Sequence, residues 1–320
     1  MKRFARTIAA LGCAFACAAS AQTYPAKAIT LVVPFSVGGS TDVSARLVAA
    51  ELGTALGKTV VVENRTGGGG VIGWGSTAKA APDGYTLLTL ELSYAIAAGL
   101  IPTLPYDPKT AFTQIVTGVS MPHVQVVHPS VKANTMQEFV ALARANPGKL
   151  NYGSGGSGTN THLGSELLKA VTGIDMVHVP YKGAGAVLQD LMAGQVQALV
   201  ASLPTILAHV KSGKLRALMV LADQRTSHLP DVPSAKEAGF PSLVMTFWVN
   251  FAAPAGTPRP VIDRLNREIV AALQAPATRA RLNELGLEAI GGTPEQATRL
   301  VESEIQRWGA VIKAANIKAD

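Results

Sequence analysis

Gly153-x-Gly155-x-x-Gly158 carries, letter for letter, the glycine spacing with which a strand-to-helix turn wraps a dinucleotide pyrophosphate. A nicotinamide-binding turn also needs an acidic residue at the end of the next strand to hold the ribose. Here that strand ends in Val179-Pro180-Tyr181, and Asp175 lies before it. Gly155-Gly156-Ser157-Gly158-Thr159 lacks the final glycine of a hydrolase nucleophile elbow. His162, close to Ser157, reads as a capping or packing residue at a helix start. Gly57-Lys58-Thr59 has the letters of a phosphate loop in reversed context, because it leaves a helix and enters a strand. The six histidines show no metal-ligand spacing. No catalytic residue, metal or cofactor is therefore expected.

What remains is the chemistry of the backbone at helix starts. Ile29 to Val33 reads as a buried strand, Pro34 ends it, and Gly38-Gly39 turn the chain before Ser40, Thr41 or Asp42 caps the apolar-periodic helix Val43 to Leu56. Such a helix start presents unpaired N–H groups and a partial positive charge, which suit a carboxylate or phosphate. Asp42 either stabilises that helix start or binds a ligand amine. A second loop, Ser154-Gly155-Gly156-Ser157-Gly158-Thr159-Asn160, precedes a helix from His162 in the same way.

Both loops sit in the same grammar of elements. Ile29 to Val33, Thr59 to Val62 and Tyr85 to Leu90 read as strands, separated by helices over 43–56 and 71–80. From Lys149 the order returns: strands over 149–152, 176–179 and 196–200, helices over 162–171 and 187–193, and a glycine turn at Gly183. Between the two copies lie the strand-like segments Gln114 to Val119 and His123 to Val127 and a helix over 135–145; a last helix is read over 260–273. This repetition predicts two similar α/β lobes with parallel sheets, each closed by a strand exchanged with the other, and the two glycine-rich loops facing one cleft. One long sheet with repeated grammar is the alternative. The boundaries read as 22–121 with 247–320 for the first lobe and 122–246 for the second. Trp74 and Trp248 are core or cleft walls, and Trp248, next to a crossover strand, is the better cleft candidate.

Residues 1–21 carry Lys2, Arg3 and Arg6, an apolar run, and Ala19-Ser20-Ala21 before Gln22, the layout of a cleavable export signal. Both cysteines, Cys13 and Cys17, fall inside it. A mature chain from Gln22 has no thiol, which removes disulfides and cysteine chemistry. Ala10 and Ala14 stand where a lipid-attachment motif prefers leucine. Subtracting the three signal-peptide cations from the formal +7 leaves +4, with no Lys/Arg run of the kind that binds nucleic acid. A periplasmic monomer is expected.

Several segments taken jointly resemble one family. They include Pro34-Phe35-x-x-Gly38-Gly39-x-Thr41-Asp42, Val61-Val62-Glu63-Asn64-Arg65, Ala81-Pro82-Asp83-Gly84-Tyr85, Leu104-Pro105-Tyr106-Asp107-Pro108, Val177-His178-Val179-Pro180-Tyr181-Lys182-Gly183 and Ala253-Pro254-Ala255-Gly256-Thr257-Pro258. The chain is similar to the Bug receptors, periplasmic substrate-binding proteins associated with tripartite tricarboxylate transporters, over essentially its whole mature length. The resemblance implies an α/β, two-lobed type II periplasmic binding protein of the Venus-flytrap kind, each lobe a doubly wound, mostly parallel sheet with an exchanged crossover strand. It implies no catalysis, and a ligand carboxylate gripped by Phe35, Ser36, Val37, Gly38, Gly39, Ser40, Thr41 and Asp42 on one side. On the other side are Ser154, Gly155, Gly156, Ser157, Gly158, Thr159, Asn160 and His162, with Tyr181, Ser202 and Trp248 as further candidates.

Two departures from the family pattern bear on the ligand. Ser36, Val37 and Ser40 replace two prolines and a third glycine in the first loop, and Ala201-Ser202 replaces a common Asp-Asn. Losing that carboxylate disfavours an amino acid ligand. Glu91, ending the matching strand of the first lobe, is placed to accept a hydrogen bond from a ligand hydroxyl or amine. The expected function is capture of a small organic carboxylate and its delivery to a membrane transporter. A carboxylate sensor signalling through a membrane partner and an enzyme on a Rossmann-like lobe are the alternatives.

Overall fold

The computed structural model describes residues 24–318; the export-signal reading over 1–21, with Cys13 and Cys17, lies outside them. In chain order the elements are β1 (Ile29–Val33), α1 (Ser40–Leu56), β2 (Val60–Asn64), α2 (Val71–Ala78), β3 (Thr86–Glu91), α3 (Leu92–Leu100), β4 (Phe112–Val127), α4 (Met136–Ala145), β5 (Asn151–Ser154) and α5 (Asn160–Thr172). There follow β6 (Val177–Pro180), α6 (Ala184–Met192), β7 (Ala198–Ser202), α7 (Leu203–Lys211), β8 (Arg216–Val220), β9 (Thr246–Pro254), α8 (Arg259–Gln274), α9 (Pro276–Glu284), β10 (Glu288–Gly291) and α10 (Pro294–Ala314).

The strands make two sheets that share β4. In the first, β2, β1 and β3 are parallel, β9 joins β3 antiparallel, and β4 and β10 follow. In the second, β6, β5 and β7 are parallel, and β7 and β8 both pair antiparallel with β4. Parallel pairing thus belongs to one trio in each sheet, and the strands that close the trios run against their neighbours. The two strand-like segments read around 114–127 are one strand. Residues 112–122 pair with β9 and residues 123–127 with β7. Pro122, a strand breaker by composition, stands where β4 leaves one sheet for the other, so the N–H it lacks interrupts neither ladder.

The central parallel strand β1 is covered on both faces and is accordingly rich in apolar residues: Ile29, Leu31, Val32 and Val33 are all buried. Trp74 belongs to this core. It is fully buried, donates from Nε1 to the Thr89 carbonyl, and meets Phe35 and Tyr94 edge-on at 6.0 and 5.2 Å. Tyr106 and Phe112 extend the aromatic cluster behind Tyr94. Each such pair contributes about 0.5–1.5 kcal/mol beyond the area it buries. Its positional consequence is that Phe35, at the start of the first loop, is held from behind.

Candidate functional site

All six parallel strands end toward the gap between the two sheets, and five of them hand the chain to a helix whose first residues reach the same small cavity. The N-cap residues of α1, α3, α5, α6 and α7 are Gly39, Glu91, Thr159, Gly183 and Ser202, and all five line it. Each helix start adds a partial positive charge and N–H groups aimed forward, worth about 0.3–1 kcal/mol toward an anion and up to about 2 when partly buried. No side chain caps α1, α6 or α7. Among the described residues no Lys or Arg lines the cavity, so the positive potential its own walls supply comes from peptide dipoles. Two larger grooves elsewhere, about 540 and 630 Å³, have charged side chains in their walls and no such convergence.

The cavity measures about 40 Å³, against about 180 Å³ for the one beside it. It is small because the two halves touch. Ser40 Oγ hydrogen-bonds Ser202 Oγ and lies 3.1 Å from Thr205 Oγ1. Across the cleft, Asn160 donates from its backbone N to Ser93 Oγ at 2.9 Å and from Nδ2 to Glu91 Oε2 and Ser93 Oγ, both at 3.0 Å. Because Nδ2 is spent on these acceptors, Asn160 Oδ1 accepts from His123 Nε2 at 3.0 Å. Burial depresses the His123 pKa, keeping the ring neutral.

Two polar atoms in the wall have no hydrogen-bond partner among the described residues: Ser36 Oγ and Glu91 Oε1. Buried polar groups are nearly always paired, so two orphans facing one cavity mark a place built for a polar guest. Burial pushes the Glu91 carboxyl up to about 7, against the hydrogen bonds from Ser93 and Asn160, which pull it down. A raised folded-state pKa means that the folded protein holds this proton more tightly than the unfolded chain. The associated stability is complete below the ordinary value of 4.5 and is lost as pH rises toward 7. Over that window the loss comes to about 3 kcal/mol, an order-of-magnitude figure. Glu91→Gln, which cannot titrate, is expected to gain that much on the wild type between pH 4.5 and 7.5. Urea midpoints of both proteins across this range measure the gap, and a constant gap would refute the titration.

Among the residues singled out in the sequence, Phe35, Ser36, Gly39, Ser40 and Thr41 line the cavity from one half, with Glu91 beside them. Gly155, Thr159, Asn160 and Ser202 line it from the other. Gly156, Ser157 and Tyr181 line an adjoining cavity of about 180 Å³, which shares Phe35 and Gly155. Tyr181 Oη donates to Asp190 Oδ2 at 2.5 Å and turns away from the main cavity.

Other candidates hold the loops in place. Asp42 accepts from Arg46 Nε, Asn64 Nδ2 and Gly38 N at 2.9–3.0 Å. Burial raises its pKa, yet these bonds outweigh it and hold the carboxyl below the usual Asp range. It clamps the first loop and is not offered to a ligand amine. Val37 is 66% exposed at the rim, and Gly38 N is taken by Asp42. Ser154 Oγ bonds His178 Nε2 at 2.6 Å, and His162 Nδ1 accepts from Gly158 N while its ring stacks on His178.

Trp248 corrects the sequence reading most clearly. It lies on the face of β9 away from the cleft, donating at 3.3 Å to Glu304 of α10, to which Trp308 also donates. Its neighbour Phe247, on the opposite face, lines the cavity. Alternation along a strand allows only one of two adjacent residues to do so. Thr161 and Gly183 are further wall residues absent from the sequence candidates, although both stand at helix starts that the strand-turn-helix grammar had located.

The chain is similar to known proteins over most of its length. Residues 44–317 match the family model described as tripartite tricarboxylate transporter family receptor. The chain is 40% identical to Protein BugT of Bordetella pertussis over 301 residues, covering 93% of this chain and 92% of that one. Two solved structures match over nearly their whole length. R. palustris Rpa4515 with adipate has a TM-score of 0.89 and 36% identity, over 92% of this chain and 99% of that one. MatC from Rhodopseudomonas palustris with bound malate has a TM-score of 0.88 and 33% identity, over 90% of this chain and all of that one.

Proposed function

Because the chain belongs to the tripartite tricarboxylate transporter receptor family, we propose that it captures a small organic carboxylate between its lobes and presents it to the membrane subunits of such a transporter. The observation that carries this reading is the convergence of five helix starts on one cavity without a single cationic side chain. That arrangement grips an anion by backbone dipoles and leaves the ligand's shape to be read by neutral walls such as Phe35 and Phe247. Adipate and malate in two related structures supply the ligand class to test.

The two halves meet across this cavity through Ser40 and Ser202 and through Asn160, Glu91 and Ser93, which closes the way in for a ligand. Uptake on this reading needs the lobes, 22–121 with 247–320 and 122–246, to part about the strands β4 and β9 that pass between them. The sheet partner changes at Pro122 and His123, which supports a bend there. The export signal over 1–21 supports a periplasmic site of action for the mature chain.

Since the helix starts favour charge, adipate and malate are expected to raise the melting temperature by several degrees at saturating concentration, and adipamide and malamide to leave it unchanged. A thermal-shift series measures this. Equal shifts with acid and amide would overturn the anion reading.

A further inference from the structure

Among the described residues Glu91 is the one titratable side chain in the cavity wall, and it sits where the proposed function puts a second carboxylate. It is fully buried at the N-cap of α3. Oε2 is committed to the Ser93 N–H at 2.9 Å and to Asn160 Nδ2 at 3.0 Å, and Oε1 has no partner among the described residues. The groups that face it are neutral. From α3 comes Ser93; from α5 come Asn160 and Thr161, with the neutral His123 ring behind Asn160. Ser40 and Thr41 come from α1, Ser202 from β7 and Phe247 from β9. The nearest charged residue on α1, Asp42, is turned away onto Arg46.

We propose that Glu91 enters the complex as a neutral carboxylic acid whose Oε1–H donates to an oxygen of the bound carboxylate, so that capture of the anion takes up a proton. The inference rests on the anion-cleft reading above and adds to it. Two carboxylates sharing one buried site cannot both stay ionised, and among the described residues no Lys or Arg lines the cavity to relieve them. The ligand keeps its charge because it collects the helix starts that converge on the cavity. Glu91 yields because burial has already brought its pKa to about 7 before any second charge arrives. Protonation also gives the orphaned Oε1 a hydrogen to place. A ligand hydroxyl or ammonium donating to an ionised Glu91 is the competing arrangement, and it binds without proton uptake.

Calorimetry with adipate and with malate, between pH 5.5 and 9 in buffers of differing ionisation enthalpy, separates the two. Close to one proton taken up per adipate is expected at pH 8. Wild-type affinity should fall roughly 100-fold between pH 5.5 and 9, as the fraction of protein carrying the proton falls. Glu91→Gln presents an N–H at the same place. It should bind adipate without proton uptake, with a flat pH profile, and at pH 8 at least as tightly as the wild type. In the wild type alone, adipate added at pH 8 should produce the infrared band of a protonated buried carboxyl. Binding without uptake, accompanied by weaker binding in Glu91→Gln, would overturn the inference and leave the anion cleft standing. Uptake that persists in Glu91→Gln would place the proton elsewhere and overturn it too. If neither acid binds at any pH, the cleft reading falls and carries this inference with it.

Discussion

Gly183→Val is expected to lower affinity for adipate by roughly 10- to 100-fold while leaving a folded protein, because the residue meets the opposite half of the molecule at the rim of the cavity. Gly183 has φ 117° and ψ 156°, a conformation open to glycine alone, and a Cβ built there would lie 2.4 Å from Ser36 Oγ and 3.3 Å from Ser36 Cβ. Ser36 can swing its hydroxyl aside for one added atom, but it cannot move its own Cβ and backbone away from the branched side chain of valine. Two costs follow, and they fall on different states. Backbone strain of about 1–3 kcal/mol is present whether the lobes are apart or together, and lowers the melting temperature. The collision exists only when the lobes meet, and so appears as lost affinity.

Gly185→Ala is the matched control. Its Cβ would make an ordinary 3.4 Å contact with the Val37 carbonyl, and the backbone there lies outside the left-handed region. Affinity within about threefold of wild type is expected, since a contact of that length needs at most a small adjustment. Calorimetry on both variants, with circular dichroism to confirm folding, measures the difference. Wild-type affinity in Gly183→Val would mean that the closed arrangement seen here is not the one that holds ligand.

How much of this site the sequence could announce depended on punctuation. The loops after β1 and β5 are marked by glycine, serine and a capping residue, and the helix starts they predict are those that line the cavity. By contrast, β3 passes into α3 at Glu91-Leu92 and β7 into α7 at Ser202-Leu203 with no intervening turn residue. No glycine turn marks either boundary, α7 being announced only by Pro204 in its first turn, and Ser93 and Thr205, which bridge the halves, are not among the sequence candidates. For Asp42 and Trp248, each read with a structural role and a ligand role, the local pattern could not choose between the two. Each sits at a position that local periodicity located correctly, but its partners come from far along the chain. Asn64 of β2 reaches Asp42, and Glu304 of α10 reaches Trp248. The gap read between Val119 and His123 is continuous strand instead, since a proline is tolerated where a strand changes its neighbours. Glu91 was visible as a strand-end carboxylate; that one of its oxygens is left unpaired is a property of the assembled walls.

Asn160 should be the most sensitive single position for closure. Its side chain and backbone N–H make three hydrogen bonds to Glu91 and Ser93 across the cleft, and its Oδ1 holds His123. Asn160→Leu keeps the volume and removes every polar side-chain atom. In the closed form Glu91 Oε2 loses a donor, and His123 Nε2 is left without its acceptor, each at about 1–3 kcal/mol. When the lobes part, Glu91 and Ser93 meet water instead, so most of the penalty attaches to closure and little to folding. Affinity for adipate should fall roughly 100- to 1,000-fold, a loss of about 3–4 kcal/mol. Small-angle scattering should show a larger radius of gyration than for the wild type. Asn160→Asp separates the loss of hydrogen bonds from the arrival of charge. At pH 8 its carboxylate faces Glu91 and repels it, giving a loss at least as large. At pH 5 one of the two carries a proton, the bond to Ser93 or Glu91 can form again, and affinity should recover by about tenfold or more beyond the roughly tenfold rise that Asn160→Leu, which keeps Glu91, shows over the same range. Unchanged scattering and affinity in Asn160→Leu would show that the bonds across the cleft contribute nothing to holding it shut.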